Sequence, residues 1–427
     1  MRHAAIIARL LRATFLTVAI AACNARSAPA PAGSPHPDSL AIRRDIEYLA
    51  SPALAGRLTG TPGNDSAAAY IARRYAALGV QPLSPGYLQR FDARPAAHNG
   101  ATVILPTQNV FGIVRGTDPA LRNQYVVVGA HFDHLGTNTM FAADPRAPGV
   151  RLGADDNASG SAAVLELARL IARSPTKRSV IFAHFSGEEE GTLGSMYMVE
   201  HMPVPIDSVD AMLNFDMVGR MKNDRLIVFG VATSPELPGI VNDANATVQL
   251  RVAAQGDGDG PSDHASFYLK NMPVLHFFTD SHEDYHKVGD TPDKINAAGE
   301  AKVIALAEGV LRTIADRPAR LTFVRAPTTA KSSSSQGSNV YLGSIPDMAG
   351  SDIPGLRLSG VSAGSPAEVA GLEPGDVIVV FDGKPVKDLY EYSDALYSHK
   401  PGDEVDIVVL RDGQRLTLHV KLGKRGG

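Results

Sequence analysis

Potential metal ligands follow several short apolar segments of this 427-residue sequence. His131 and Asp133 come directly after the apolar residues 125–130, Asp216 ends a second segment, and His286 lies shortly after a third. Imidazole and carboxylate groups are ligands that zinc accepts, and a free carboxylate can also act as a general acid or base. A set of such ligands without any cysteine indicates a catalytic rather than a structural metal site.

Two further segments carry acidic residues of the same kind. Glu188 and Glu189 follow the apolar residues 180–185, and Asp155 lies in a loop that opens a helix predicted from Ser159. In an open α/β sheet the carboxyl ends of parallel strands form one edge, where ligands bind. Each residue alone has an ordinary explanation as a turn cap or a surface side chain. Five segments that converge on one edge favour a shared metal site.

The predicted sheet follows from apolar runs that lack polar alternation. Such runs are typical of parallel strands covered on both faces, with helical stretches such as residues 159–173 between them. Two helices around a Gly-rich turn are predicted over residues 39–83. We therefore expect an α/β fold, a mostly parallel central sheet sandwiched by helices, over residues 39–325. The runs are at 125–130, 180–185, 211–215, 226–229 and 274–278.

Composition excludes several functional classes. The chain has 41 Lys and Arg against 45 Asp and Glu, and its net charge of -4 provides no basic field for nucleic acid. Hydrophobic residues make up 44% and charged residues 20%, as in a globular protein. No P-loop or dinucleotide-binding glycine pattern is present. The length favours two or three compact units.

The N-terminus resembles a secretory signal. Arginines precede an apolar stretch at residues 13–22 that is too short to anchor a helix in a bilayer. The stretch ends at Cys23, the only cysteine, in a pattern that resembles a lipobox. We expect residues 1–23 to direct export and Cys23 to attach a lipid, which gives a periplasm-facing or cell-surface lipoprotein. Ordinary cleavage, giving a soluble periplasmic or secreted protein, is the alternative. Residues 24–38 are predicted to be a flexible tether.

A family resemblance emerges from the order of the motifs. The chain contains, in this order, the motifs H-F-D, G-A-D-D-N-A-S-G, G-E-E-E-G-T-L-G-S, N-F-D-M-V-G and D-Y-H-K-V-G-D-T. This ordered set resembles the co-catalytic zinc aminopeptidases of metallopeptidase family 28, of the bacterial leucyl aminopeptidase type. The resemblance implies peptide or protein N-termini as substrate and two Zn²⁺ per chain, for which Co²⁺ or Mn²⁺ are compatible substitutes. It implies one zinc on His131 and Asp216, the other on Glu189 and His286, and Asp155 as the bridge.

The resemblance also assigns proton transfer. Glu188 falls on the general acid/base position, where it would take a proton from a water shared by the metals and return it to the leaving amine. Asp133 would accept a hydrogen bond from His131 and fix its tautomer. Three consecutive glutamates leave the register open by one residue, and the glycines that follow favour Glu188 and Glu189 as the functional pair.

The other histidines near the motifs and within the strands are not expected to bind metal. With the metal positions filled, the histidines beside the motifs are not expected to be ligands, and those within apolar runs are expected to be hydrogen-bonded core residues. The first group is His134, His264 and His282, and the second is His184 and His276.

A second domain is predicted after a Ser-rich linker at residues 326–336. The sequence G-S-P-A-E-V-A-G-L-E-P-G-D-V-I-V-V at 364–380 resembles PDZ domains of bacterial proteases, which implies a PDZ domain over residues 337–424. Such domains bind peptide tails by strand addition. The expected carboxylate loop, residues 341–344, has Ser344 where an apolar residue is usual, and Pro346 follows. Peptide binding and a covering or gating role for the cleft both remain open.

Three alternative functions remain open at this stage. A glutaminyl cyclase shares the expected fold and several ligands but binds one zinc. Here His131 and Asp216 are both present and supply a second metal position, which favours hydrolysis. A carboxypeptidase or dipeptidase differs in requiring the substrate's carboxylate. A non-catalytic surface binding protein would be expected to lack ligands, and none is missing.

Overall fold

The computed structural model describes residues 35–95, 103–139, 141–144, 146–326, 340–346, 354–361, 364–387, 391–392, 395–396 and 398–424. The predicted signal and lipid-attachment segment, most of the tether and nearly all of the linker lie outside these residues. Among the described residues, no helix combines the length and the apolar character needed to cross a bilayer.

A nine-stranded sheet lies at the centre of residues 35–326. Its strands are β1 (Gln81–Pro82), β2 (Leu88–Ala93), β3 (Leu105–Val114), β4 (Tyr125–His131), β5 (Ser179–Phe185), β6 (Val209–Phe215), β7 (Arg225–Phe229), β8 (Arg251–Ala254) and β9 (Val274–Phe278). The order is β1-β3-β5-β4-β6-β9-β7-β8, with β2 beside β3. The central strands β5, β4, β6 and β9 are parallel, and the antiparallel strands β3 and β7 flank them. The predicted mostly parallel sheet is confirmed.

Helices connect the strands. They are α1 (Ser39–Leu49), α2 (Pro62–Leu78), α3 (Gly160–Arg173), α4 (Leu193–Glu200), α5 (Leu237–Val248), α6 (His264–Tyr268) and α7 (Ala297–Asp316). Side chains cap the N-termini of three of them, α1, α2 and α7. The Asp38 carboxylate accepts the first free amides of α1, and the Asn296 side chain accepts the amide of Gly299 in α7. Each cap satisfies donors that a helix N-terminus leaves unpaired.

Alternate residues of the central strands enter two different cores. In β4, Val126 and Val128 belong to a core that includes residues of α1, α2, α3, α5 and α7. Tyr125 and Val127 belong to a second core that contains Met198 of α4 and Phe267 of α6. Because successive side chains of a strand point to opposite faces, the sheet is covered on both sides. This explains why its strands lack polar alternation.

The C-terminal part is a separate β-rich fold. Its strands are β10 (Val340–Tyr341), β11 (Ser344–Pro346), β12 (Leu356–Val361), β13 (Val377–Phe381), β14 (Lys384–Pro385), β15 (Glu404–Arg411), β16 (Gln414–Lys421) and β17 (Gly423–Lys424), with the short helix α8 (Pro366–Val369). One sheet has the order β11-β12-β13-β15-β16, and β11 forms its edge. The Ser344 hydroxyl lies 2.5 Å from the Tyr392 hydroxyl, so the polar residue in the expected carboxylate loop has a partner.

Candidate metal centre

The carboxyl ends of the parallel strands bring the predicted site residues to one edge. His131 is the last residue of β4, and Asp216 directly follows β6. Glu188 and Glu189 lie just past the end of β5, and His286 lies in the loop after β9. The amide of Phe132 donates to the carbonyl of Phe185, which continues the pairing of β4 and β5 as far as the site. The sheet thus positions side chains that are distant in sequence.

Asp156 lies at the centre of this edge, and its two oxygens face different histidines. Oδ1 lies 3.3 Å from Nε2 of His131, and Oδ2 lies 3.1 Å from Nε2 of His286. The side chain is 4% exposed, so neither oxygen is freely hydrated. A carboxylate in this position can bridge two cations.

Each histidine also faces a second carboxylate. Nε2 of His131 lies 3.5 Å from Oδ1 of Asp216, and Nε2 of His286 lies 3.1 Å from Oε2 of Glu189. The Ser262 hydroxyl donates to the other oxygen of Asp216 at 2.9 Å. Two groups of one imidazole and one carboxylate therefore lie on either side of Asp156, and each offers nitrogen and oxygen donors.

The predicted bridge, Asp155, is not in this cluster. The next residue, Asp156, occupies the expected position between His131 and His286. The Asp155 carboxylate accepts the amide of Gly219 at 2.7 Å and lies 3.1 Å from Nε2 of His282. The backbone turns between the two adjacent aspartates, so only Asp156 faces both His131 and His286. The motif contains both aspartates, and the spacing did not distinguish them.

Glu188 lies beside the cluster without joining its closest contacts. Its Oε2 is 3.9 Å from Nε2 of His131, and its amide donates to the Asp133 carboxylate at 3.3 Å. Burial raises the pKa of Glu188 well above its ordinary value, and the carboxylate of Asp216 raises it further against the opposing effect of His131. A carboxyl group with a raised pKa close to metal ligands is suited to accept and return a proton.

Asp133 has a role partly different from the predicted one. Nδ1 of His131 lies 3.2 Å from the backbone carbonyl of Asp133 and 3.7 Å from its carboxylate, so the main chain is the nearer partner. The carboxylate accepts the amides of Glu188 and Glu189 at 3.3 and 3.4 Å and the Thr59 hydroxyl at 3.1 Å. Its main contacts therefore hold the loop of the two glutamates, because the strand end leaves the side chain facing that loop.

His134, which the sequence reasoning set aside, lies inside the cluster. Its Nδ1 is 2.7 Å from Oε1 of Glu189 and 3.7 Å from Oδ2 of Asp156. Within the described part of the chain, these three residues form one of two groups whose ligand atoms lie within 4.8 Å of one another, and His131, Asp156 and Asp216 form the other. His134 thus supports Glu189 from the side opposite His286. The single clue in the sequence was its place in the H-F-D-H segment.

The other histidines fit the expected ordinary roles. His184 lies in the core, where Nδ1 is 2.9 Å from the Tyr75 hydroxyl and Nε2 is 3.1 Å from the Ser161 carbonyl. Nδ1 of His276 accepts a hydrogen bond from the side-chain nitrogen of Asn214 at 3.1 Å, and the ring stacks on His264. Burial lowers the pKa of His184 to about 4 and that of His264 to about 3, as expected for neutral core imidazoles.

Arg57 is a further residue of the site that sequence reasoning missed. It is fully buried, and its guanidinium donates to the carbonyls of Phe132 and Gly153 at 2.6 and 2.9 Å. It also donates to the carbonyls of Leu49 and Leu152 at 2.6 and 2.7 Å. Burial lowers its pKa to about 10, while the nearby carboxylate of Asp133 opposes this change, so the side chain stays charged. Arg57 joins the segments that carry His131 and Asp156.

The cluster fits bound metal cations in its charge and in one unmet contact. Oδ1 of Asp216, which faces His131, is buried and has no hydrogen-bond partner. Burial alone would lower the pKa of His131, but the carboxylates of Asp216 and Glu188 raise it well above its ordinary value. An imidazole whose pKa is raised by neighbouring carboxylates binds a proton readily. A metal ion that binds to the same nitrogen displaces this proton. Nitrogen and oxygen donors without thiolates suit zinc in a catalytic site.

Comparison with known proteins agrees with this geometry. Residues 109–310 match the model of peptidase family M28, and residues 336–422 match that of the PDZ domain. The fold and the matched region are thus those of a metallopeptidase domain. The chain carries a peptidase domain of family M28 followed by a PDZ domain.

Individual relatives cover only part of the chain. It is 29% identical over 301 residues to leupeptin-inactivating enzyme 1 of Streptomyces exfoliatus, which covers 69% of this chain and 61% of that protein. It is 31% identical over 212 residues to an aminopeptidase of Pseudomonas aeruginosa, covering 46% of this chain and 37% of the relative. A zinc aminopeptidase from Bacillus subtilis superposes with a TM-score of 0.55 at 16% identity, over 67% of this chain and 97% of that structure. The chain therefore spans less than two thirds of these two curated relatives.

Proposed function

We propose that this protein is an exported metallo-aminopeptidase that removes N-terminal residues from peptides at a two-zinc site. The observation that carries the proposal is the position of Asp156, whose oxygens lie 3.3 Å from His131 and 3.1 Å from His286. One ion would be held by His131 and Asp216, the other by Glu189 and His286, with Asp156 between them. The similar Bacillus subtilis structure is named a zinc aminopeptidase, which supports zinc as the metal.

Different residues of this chain would carry out different parts of the hydrolysis. Bound zinc would lower the pKa of a water and polarise the scissile carbonyl. Glu188, close to His131 but outside the ligand pairs, takes the proton from the water and delivers it to the departing amine. Asp133 keeps the backbone of Glu188 and Glu189 in place.

The experiment that tests this function measures zinc per chain together with release of p-nitroaniline from leucyl-p-nitroanilide. Two zinc ions per chain and turnover that a chelator abolishes would support the proposal. One zinc without turnover would contradict it and favour a glutaminyl cyclase, to be assayed on peptides with N-terminal glutamine. Cleavage that survives acetylation of the substrate's amine would instead indicate an endopeptidase or carboxypeptidase.

The proposal includes the flanking segments. Export and lipid attachment at Cys23 are supported by the sequence pattern alone, and incorporation of labelled palmitate that persists in Cys23→Ala would contradict attachment there.

The PDZ domain is proposed to bind an extended peptide at the open edge of β11. Removing residues 337–427 should then alter kinetics on long peptides and leave leucyl-p-nitroanilide hydrolysis unchanged.

A further inference from the structure

Asp155 is fully buried next to the proposed metal bridge, and its carboxylate is occupied by two donors. Oδ1 accepts the amide of Gly219 at 2.7 Å, and Oδ2 lies 3.1 Å from Nε2 of His282. A buried carboxylate is costly unless it is hydrogen-bonded, so both contacts are needed to keep Asp155 in place. Neither contact belongs to the proposed zinc ligands.

The tautomer of His282 follows from its other nitrogen. The amide of Asp284 donates to Nδ1 at 3.2 Å, so Nδ1 presents its lone pair and the ring proton of a neutral imidazole lies on Nε2. Nε2 therefore donates to Asp155. His282 is 5% exposed, which leaves the ring little room to adopt another orientation.

These contacts join three loops that each carry proposed ligands. Asp155 precedes Asp156, Gly219 lies three residues after Asp216, and His282 lies four residues before His286. The approach is close, because a Cβ added to Gly219 would lie 3.0 Å from Oδ1 of Asp155. A shift in any one loop would therefore be transmitted to the other two through the Asp155 carboxylate.

A second carboxylate fixes the backbone of the same turn. Asp290 accepts the amides of Asp155 and Asp156, each at 3.0 Å. Asp290 holds the main chain of this turn, and the side chain of Asp155 adds a contact from the turn to His282, in the loop that carries His286. Packing alone does not require a charged residue at this buried position.

We propose that Asp155 and His282 form a positioning pair that sets the distance between Asp156 and His286 and so tunes zinc affinity. This inference rests on the proposed two-zinc function. Neither residue contacts the substrate or a metal; the pair acts through Asp156 and His286. Partners that orient metal ligands typically change metal affinity by about 10–100-fold when they are removed.

Zinc affinity of the full protein, measured by competition with a chromogenic chelator, tests the pair. His282→Leu should weaken zinc binding by about 10–100-fold. His282→Gln, whose side-chain amide can still donate towards Asp155, should recover much of the affinity. The matched control is His184→Leu, which also removes a buried histidine with two hydrogen-bond partners but lies outside the cluster. It should lower the melting temperature and leave zinc affinity unchanged.

A double variant separates a pair from two independent residues. Asp155→Asn would leave one acceptor oxygen for two donors, the Gly219 amide and Nε2 of His282, so it should weaken zinc binding as strongly as His282→Leu. If the residues act together, Asp155→Asn with His282→Leu should bind zinc no more weakly than the worse single variant.

Three results would overturn the inference. His282→Leu with wild-type zinc affinity would remove it while leaving the proposed function intact. An equal loss of affinity in His184→Leu would show that general destabilisation is the cause. Failure of the wild-type protein to bind zinc would refute the proposed function and the positioning pair with it.

Discussion

Replacing Glu188 with glutamine should abolish turnover without removing zinc. Nε2 of His131, a proposed ligand atom, lies 3.9 Å from Oε2 of Glu188, and the amide that Asp133 holds belongs to the main chain. The substitution therefore leaves the ligand pairs and the loop intact and removes only the group that exchanges protons. General acid/base catalysis contributes about 10²–10⁴-fold. At about 1.36 kcal/mol for each tenfold, the activation free energy should rise by about 3–5 kcal/mol.

The assay compares kcat on leucyl-p-nitroanilide with zinc content determined by elemental analysis on the same sample. Glu190→Gln is the matched control, because it makes the same change two residues further along, outside the ligand groups, and should retain kcat within about twofold on the scale of an ordinary surface substitution. A Glu188→Gln protein that keeps full zinc and more than about a tenth of wild-type kcat would refute the assignment, since that loss is smaller than general acid/base catalysis supplies.

Three further predictions concern other parts of the site and core. Arg57→Met should lower the free energy of unfolding by at least about 3 kcal/mol in urea titrations, because three buried carbonyls, those of Leu49, Phe132 and Gly153, lose a donor and each unpaired group costs about 1–3 kcal/mol. Asp216→Ala should reduce bound zinc from two ions to one by elemental analysis. Burial raises the pKa of Glu300 well above its ordinary value, so the folded state retains its proton and wild-type stability should fall as pH rises above about 4.3. Glu300→Gln should lack this fall in melting temperature.

Strand positions were predictable because the central strands are buried on both faces. The apolar runs at 125–130, 180–185 and 274–278 correspond to β4, β5 and β9 within about one residue at either end. Strands β2 and β3 were not predicted, because they pair antiparallel at the side of the sheet and their sequences mix polar and apolar residues. Periodicity identifies the buried centre of such a sheet better than its margins.

The site was predictable by segment but not always by residue. Adjacent aspartates share one motif, and the choice between Asp155 and Asp156 depends on a backbone turn that spacing does not reveal. Arg57 lies far from the motifs in sequence and reaches the site only through the fold. His134 contacts Glu189 because two strand ends meet, which is a tertiary effect.

Arg57 has a consequence for where the catalytic unit begins. The family match starts at residue 109, yet the guanidinium that joins the carbonyls of Phe132 and Gly153 comes from a segment more than fifty residues earlier. Thr59, from the same segment, donates to Asp133. A fragment cut at the family boundary would keep the proposed zinc ligands and lose the cation that holds their loops together. Expression boundaries and chimeric fusions for this protein should therefore start no later than Asp38, so that Arg57, Thr59 and the cap of α1 are all retained.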